Sequence, residues 1–330
     1  MLKFFKHSYI AQAVVIVLLI AVLWVPAFLT QSNDQAYEYP TTPMYDFLLG
    51  IMGNSNIAMT IFVMLLFGSC VFVFNSMMTV DNLVTRNSSF FSFVMVLCMC
   101  CVPINNNYYP FLIALPLMVM AQQTVFLIYN VEKPERYLMN TGIFIAVGSM
   151  FYIPAILMIF WVLFALIVHG IREMRLYLIP IVGLATPYIL MATIIYISGN
   201  SMEFINDYAN AFTSIGLTKL EITTMEKVVL LAMILLSVLS ILKIWSGNVN
   251  NLVSTRHRKT VTMVLFILSI IMLFTKNPVM SNGYFFMMVA ILVSMALCYV
   301  KKTKLVDIAL VVIMIAVIAN QYLPLFGIKL

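Results

Sequence analysis

The chain has 330 residues, of which 63% are hydrophobic and only 9% charged. Soluble domains carry about 25% charged residues, so a water-soluble globular domain is excluded and nearly all the mass belongs in a lipid bilayer. The formal charge of +6 is scattered through short segments, with no basic tract or aromatic-interleaved patch of the nucleic-acid kind. The partner it implies is the membrane.

The N-terminal stretch MLKFFKHSYI continues apolar to Thr30. The run is too long for the h-region of a signal peptide, and no small-residue cleavage site follows. An uncleaved first helix is expected from Ile10 to Leu29, with Lys3 and Lys6 holding the N-terminus inside. Residues 31–55 form the first outer loop, with Asp34 and Glu38 and no Lys or Arg. Within it, Pro43–Met52 reads as a short helix lying in the interface, with Pro43 in its first turn. Further helices are expected at Asn56–Met78, Ser89–Pro103 and Pro110–Tyr129. The inner loop between the first two holds Asp81 and Arg86, and the outer turn 104–109 joins the last two.

After the basic inner loop 130–138 comes an apolar run of 29 residues from Thr141 to His169. One pass needs about 20 such residues, so this run is long for one and short for two. Lys133 and Arg136 precede it, and Arg172 and Arg175 follow it. If basic loops stay inside, the chain goes in and comes back. The run is therefore expected to be a short-helix hairpin, 141–169, turning at Tyr152–Pro154. The alternative is one long tilted helix kinked at Pro154.

Past the inner loop 170–176, a helix at Leu176–Ser198 contains Pro180, Gly183 and Pro187, which invite a kink or unwound segment. The longest polar stretch, 199–224, reads as an outer loop. Met225–Trp245 is a helix, and the loop 246–260, ending Arg256-His257-Arg258-Lys259, is inside. Helices at Val261–Thr275 and Gly283–Val300, the inner run 301–304 and a last helix Leu305–Tyr322 complete the chain. The fold expected is an all-α polytopic membrane protein of about nine to ten membrane segments, one transmembrane domain over 1–330. This layout puts 14 of the 18 Lys and Arg inside, giving a net +9 inside and −3 outside. A single pass at 141–169 would turn the loops at 256–259 and 301–304 outward, against the positive-inside bias.

Chemistry-bearing motifs are few. No Walker loop, zincin helix, serine elbow or dinucleotide turn occurs. Cys70, Cys98, Cys100, Cys101 and Cys298 all lie in apolar runs without metal-ligand spacing, and read as inert buried thiols. No metal or cofactor is implied. His7, His169 and His257 fall at cytoplasmic edges, far apart in sequence, where orientation or snorkelling is their expected job. The polar residues at depth, Asn75, Gln122, Gln123 and Asn320, are expected to hydrogen-bond between helices. That leaves Asp34 and Glu38, the candidate catalytic acids: a carboxylate on the far side of the membrane can serve as general base for an acceptor hydroxyl. A solvated acidic loop set by topology alone is the competing explanation.

The segments Asn75-Ser76-Met77-Met78 through Arg86-Asn87-Ser88-Ser89, GIFIAVGSMFYIPAIL at 142–157, and Arg172-Glu173-Met174-Arg175 followed by Leu178-Ile179-Pro180, Gly183 and Pro187 resemble an uncharacterised family of polytopic inner-membrane proteins of Bacteroidetes. The resemblance covers roughly 43–192. A fainter one is to the C-type membrane glycosyltransferases, which use polyprenyl-phosphate sugars. Gly142, Gly148, Tyr152, Pro154 and Gly183 follow their rhythm of small residue, glycine, aromatic and proline. That resemblance implies a glycosyltransferase-C-like fold and a polyprenyl-phosphate-linked sugar as substrate in envelope glycan assembly at the outer face. It implies Asp34 as catalytic acid and Lys219 or Lys227 to meet the lipid phosphate. The location implied is the bacterial inner (cytoplasmic) membrane, multi-pass, N-terminus cytoplasmic. A non-catalytic subunit among other membrane proteins of an envelope complex, or a lipid or solute transporter, are the alternative functions.

Overall fold

The computed structural model describes residues 9–29, 42–53, 55–80, 89–101, 104, 108–128, 131, 133–198, 201–212, 224–246, 253–273, 283–297 and 303–322. Every regular element among them is helical. In chain order these are α1 (Tyr9–Leu29), α2 (Pro43–Ile51), α3 (Asn56–Val80), α4 (Phe90–Met99), α5 (Tyr109–Ile128) and α6 (Glu135–Phe151). A 3₁₀ segment (Ile153–Leu157) leads into α7 (Met158–Val168). Then come α8 (Met174–Ser198), α9 (Ser201–Phe212), α10 (Thr224–Ser246), α11 (Val253–Leu273), α12 (Gly283–Leu297) and α13 (Thr303–Tyr322). Five helices are long and apolar enough to cross a membrane, in α1, α3, α5, α8 and α10.

The centre is built from short helices. All ten residues of α4 are buried, as are Gly283 to Leu292 of α12, and the two helices pack on each other. At 1.5 Å per residue they are roughly 15 and 22 Å long, less than the ~30 Å hydrocarbon core. Helices too short to span suit surroundings of protein rather than lipid. The carbonyls at the end of α4 are met by side chains of α13: Asn320 Nδ2 donates to Cys101 O at 2.7 Å and Gln321 Nε2 to Cys100 O at 2.8 Å. Asn320 thus makes an interhelical bond. Gln122 is fully buried, yet neither its amide oxygen nor its nitrogen has a hydrogen-bond partner among the described residues, and the same holds for Asn75 Oδ1.

Several expected boundaries shift. The helix expected at 89–103 ends at Met99. The first hairpin limb starts at Glu135, inside the expected loop, and α11 starts at Val253, taking Arg256–Lys259 into the helix. Glu, Arg and Lys are good helix formers, so charge alone does not end a helix. Helix α8 continues through Pro180 and Pro187 without an unwound segment. The polar stretch 199–224 holds a helix, α9.

Helices α6 and α8 lie side by side and run the same way. A Cβ on Gly142 would strike the Pro180 carbonyl and the backbone of Gly183 and Leu184, and one on Gly183 would strike the Met139 carbonyl. Farther along, Ser149 Oγ and Tyr188 OH are 2.7 Å apart. Position advances together on both helices, so the chain reverses twice between Phe151 and Met174. Helix α7 is the returning limb. It packs antiparallel to α11, with Trp161 Nε1 donating to Val261 O at 3.0 Å and the rings of His169 and His257 6.4 Å apart.

Candidate functional site

The break between α6 and α7 follows from Pro154. A continuing helix would have the residue-154 N–H donate to Met150 O, and proline has none. The next amide, Ala155 N, donates to Tyr152 O instead. That leaves the carbonyls of Met150 and Phe151 without backbone donors at the end of α6, where a buried orphan costs roughly 1–3 kcal/mol. Both are met from outside the hairpin. Thr42 Oγ1 donates to Phe151 O at 3.3 Å, and Tyr208 OH lies 3.4 Å from Met150 O and 3.7 Å from Met191 Sδ.

Those two donors come from two short amphipathic helices that touch each other, α2 and α9. Thr42 is the N-cap of α2: its Oγ1 accepts from Tyr45 N at 3.4 Å, and Pro43 fills the first turn. Tyr45 is fully buried, whereas Phe47 and Ile51 are exposed. In α9, Tyr208 and Ala211 are buried and Asp207 is exposed. The sequence spacing Phe204, Ile205, Tyr208, Ala211, Phe212 is a helical stripe, and reading it would have found α9. Beside them, Ser149 Oγ donates to Ala146 O at 2.7 Å, so its single proton is used and Tyr188 OH must be the donor in their pair. Burial, and then neighbouring Tyr188, push the Tyr208 phenol well above its ordinary range, so this cluster is neutral at physiological pH.

The end of α6 therefore carries a set of hydroxyls, Thr42, Ser149, Tyr188 and Tyr208, under two amphipathic helices that expose Asp46 and Asp207 among the described side chains. Asp34 and Glu38, the acids singled out from sequence, lie outside the described residues, as does Lys219. Thr42 follows Glu38 by four positions in the chain. Lys227, in the first turns of α10, is exposed. Arg172 and Arg175 stand at the opposite end of α8 from Tyr188 and Met191, with the full hairpin limb between them and the hydroxyl cluster.

The other end of the hairpin closes differently. Gly170, at φ +73°, ends α7 in a left-handed turn; Gly170 N donates to Ile167 O at 3.0 Å and Ile171 N to Leu166 O at 3.1 Å. This is the Schellman arrangement. Here His169 and His257, 88 positions apart in sequence and expected to be separate, come together. Helix α11 also buries Arg258 and Lys259 at this end. Burial first, then His257 and Arg258, hold the His169 imidazole down at about 4. Among the described residues, no three His, Cys, Asp or Glu converge in a way that would hold a metal. Cys70, Cys98 and Cys100 are buried and Cys101 half-buried; Cys298 lies outside the described residues.

A family model described as a family of unknown function, DUF6427, matches residues 43–327. No curated protein and no solved structure matches the chain. The matched stretch opens at Pro43, the first residue of α2, and takes in the hydroxyl cluster except Thr42. Asp34 and Glu38 precede it.

Proposed function

The chain belongs to the DUF6427 family, and from that premise, which brings no activity with it, we propose that it is a multi-pass protein of the bacterial inner membrane that handles a polyprenyl-phosphate-linked sugar in envelope glycan assembly. In this reading the N-terminus is cytoplasmic and the chain makes about ten membrane segments as one domain. The hydroxyl cluster at the end of α6 faces outward, as expected of a glycosyltransferase-C-like architecture. Asp34 and Glu38, in the acidic segment just before Thr42, supply the general base for the acceptor hydroxyl.

One observation carries the reading. The hairpin break lies under two amphipathic helices whose outward faces mix carboxylates with exposed apolar side chains, Asp46 beside Phe47 and Ile51 on α2. A substrate with a polar head and a long lipid tail needs that mixture at a bilayer edge. The distribution of charge agrees: Arg172, Arg175 and Arg256–Lys259 gather where the Gly170 turn lies, away from Asp46 and Asp207. In cells depleted of the native protein, Asp34→Asn is expected to abolish incorporation of labelled sugar into envelope glycan at unchanged protein level. Full incorporation would remove the catalytic assignment.

A second reading, a non-catalytic membrane subunit of an envelope complex, is favoured by a specific observation. The hydroxyls of Thr42, Ser149, Tyr188 and Tyr208 are engaged with backbone carbonyls or with each other, which is structural work. That reading expects co-purification with a partner and indifference to Asp34→Asn, Glu38→Gln and Asp207→Asn. A transporter draws less support, since Asn320 and Gln321 are occupied in closing α4.

A further inference from the structure

We propose that α13 is a strap across the end of α4, held shut by a latch at Asn320 and Gln321 and able to swing open there. The hydrogen bonds that hold it gather at one tip. Asn320 Nδ2 donates to Cys101 O at 2.7 Å, and Gln321 Nε2 to Cys100 O at 2.8 Å. Gln321 Oε1 also accepts from Ile104 N at 3.3 Å, in the connection that leaves α4, and Tyr322 OH donates to Val22 O of α1 at 2.9 Å. Three consecutive residues thus bind three segments, 217 to 300 positions away in the chain. Elsewhere the helix is thinly attached. Among its described side chains only Leu310, Val317 and Gln321 are buried, while Ile308, Val312 and Ile315 are exposed. By contrast, every residue of α12 from Gly283 to Leu292 is buried.

The energetics of lipid put the docking at the tip. An apolar side chain loses little on exchanging protein for acyl chains, so the seam of Leu310 and Val317 holds weakly and the interhelical hydrogen bonds carry more of the attachment. Their acceptors are carbonyls that α4 cannot satisfy within itself. When the strap leaves, those carbonyls lose their donors, which keeps the shut state dominant and the open state a minor one. Opening also leads somewhere. Beside the latch, Tyr108 OH lies 3.8 Å from Met99 Sδ. The Tyr108 ring packs on Phe111 with centroids 5.5 Å apart, and Phe111 meets Tyr152 edge-on at 5.4 Å. The strap therefore covers one side of a packed layer whose other side is the hairpin break.

The strap's motion does not depend on the glycan chemistry proposed above, and native cysteines report it. Cys100 and Cys70 are buried alike, at 2% and 3% exposed, but Cys100 carries a latch carbonyl and Cys70 sits midway along α3. The full-length protein in phosphatidylcholine nanodiscs would be labelled with N-ethylmaleimide and each cysteine followed by peptide mass spectrometry. In the wild type, Cys100 is expected to label faster than Cys70. Gln321→Leu removes two of the latch bonds and is expected to speed Cys100 about tenfold, the scale of one or two interhelical hydrogen bonds in lipid, with Cys70 unchanged. Asn320→Leu removes one bond and should speed Cys100 about threefold. Ile315→Ala, on the exposed face of the same helix, should leave both rates as they are. Asn320→Leu decides the matter if Gln321→Leu does not fold, and the wild-type comparison needs no variant. Equal labelling of Cys100 and Cys70 in the wild type, or an unchanged Cys100 rate in Gln321→Leu, overturns the strap in favour of a fixed helix. A Cys70 rate that rises in step with Cys100 overturns it in favour of a general loosening of the bundle.

Discussion

The two ends of the hairpin face the same problem and solve it with different means. Each helical limb ends with carbonyls that the helix itself no longer satisfies. At the Gly170 end the chain closes on itself within six residues, through one left-handed glycine. At the Pro154 end the donors are imported: Thr42 comes from 109 positions away and Tyr208 from 58. The first end is therefore a local structure that α6 and α8 do not need. The second ties α2, α6, α8 and α9 into one unit, so a change in either amphipathic helix is felt at the break.

The largest effect tests what both ends share, the close crossing of α6 and α8. In lipid, apolar burial gives little drive for helices to associate, and close backbone approach through small residues takes its place. Gly142→Leu puts a side chain where the Pro180 carbonyl and the Gly183 backbone already stand. No flexible side chain is there to yield. The expected outcome is loss of the folded protein, a destabilisation above roughly 3 kcal/mol, read as a missing monodisperse peak in detergent. A Gly142→Leu protein that elutes and melts like the wild type would mean the two limbs are not locked together.

Next in size is the imported cap. Tyr208→Phe removes the donor near Met150 O and is expected to lower stability by roughly 1–2 kcal/mol. Thr42→Val, which loses both the Phe151 bond and the cap of α2, is expected to cost about as much. Because the two caps hold adjacent carbonyls of one break, the double variant should be less than additive. Thermal unfolding in detergent measures all three. Additive losses would make α2 and α9 independent attachments and dissolve the contrast between the ends.

The third test belongs to the Gly170 end. His169 titrates near 4 in the folded protein against 6.5 ordinarily. Between those values the unfolded chain takes up a proton that the folded chain refuses, so stability falls as pH drops from about 6.5 towards 4 and is flat above. The melting temperature should decline over that window in the wild type and stay level in His169→Gln.

These contrasts also explain what could be read from the chain. The turn at Tyr152–Pro154 was legible because proline's missing N–H acts locally, and Arg172 with Arg175 marked the returning end. The Gly170 turn is likewise a local signal. The import of Thr42 and Tyr208 was not legible, since nothing at either residue names a carbonyl so far away in sequence. Helix α9 was missed because polarity over 199–224 was weighed above its 3.6-residue stripe. The central place of α4 and α12 was invisible for a different reason: in a bilayer both lipid-facing and protein-facing positions are apolar, so hydropathy does not distinguish a core helix from a peripheral one. His169 and His257 came together through the antiparallel packing of α7 on α11, a tertiary fact. Asp34 and Glu38 remain readings of the sequence, since they fall outside the described residues.

The smallest effect separates a local closure from an imported one most cleanly. Gly170→Ala places a Cβ at φ +73°, a conformation that costs an L-residue roughly 1–2 kcal/mol. Nothing lies within 4 Å of the position an added methyl would take, so the change is backbone strain alone. The loss should be about 1 kcal/mol, additive with Tyr208→Phe because the two sites are a limb apart and share no partner. If Gly170→Ala instead weakened the Tyr208 cap, as a non-additive cycle would reveal, the ends would be coupled through α7, and the hairpin would have to be treated as one rigid lever with a closure at each tip.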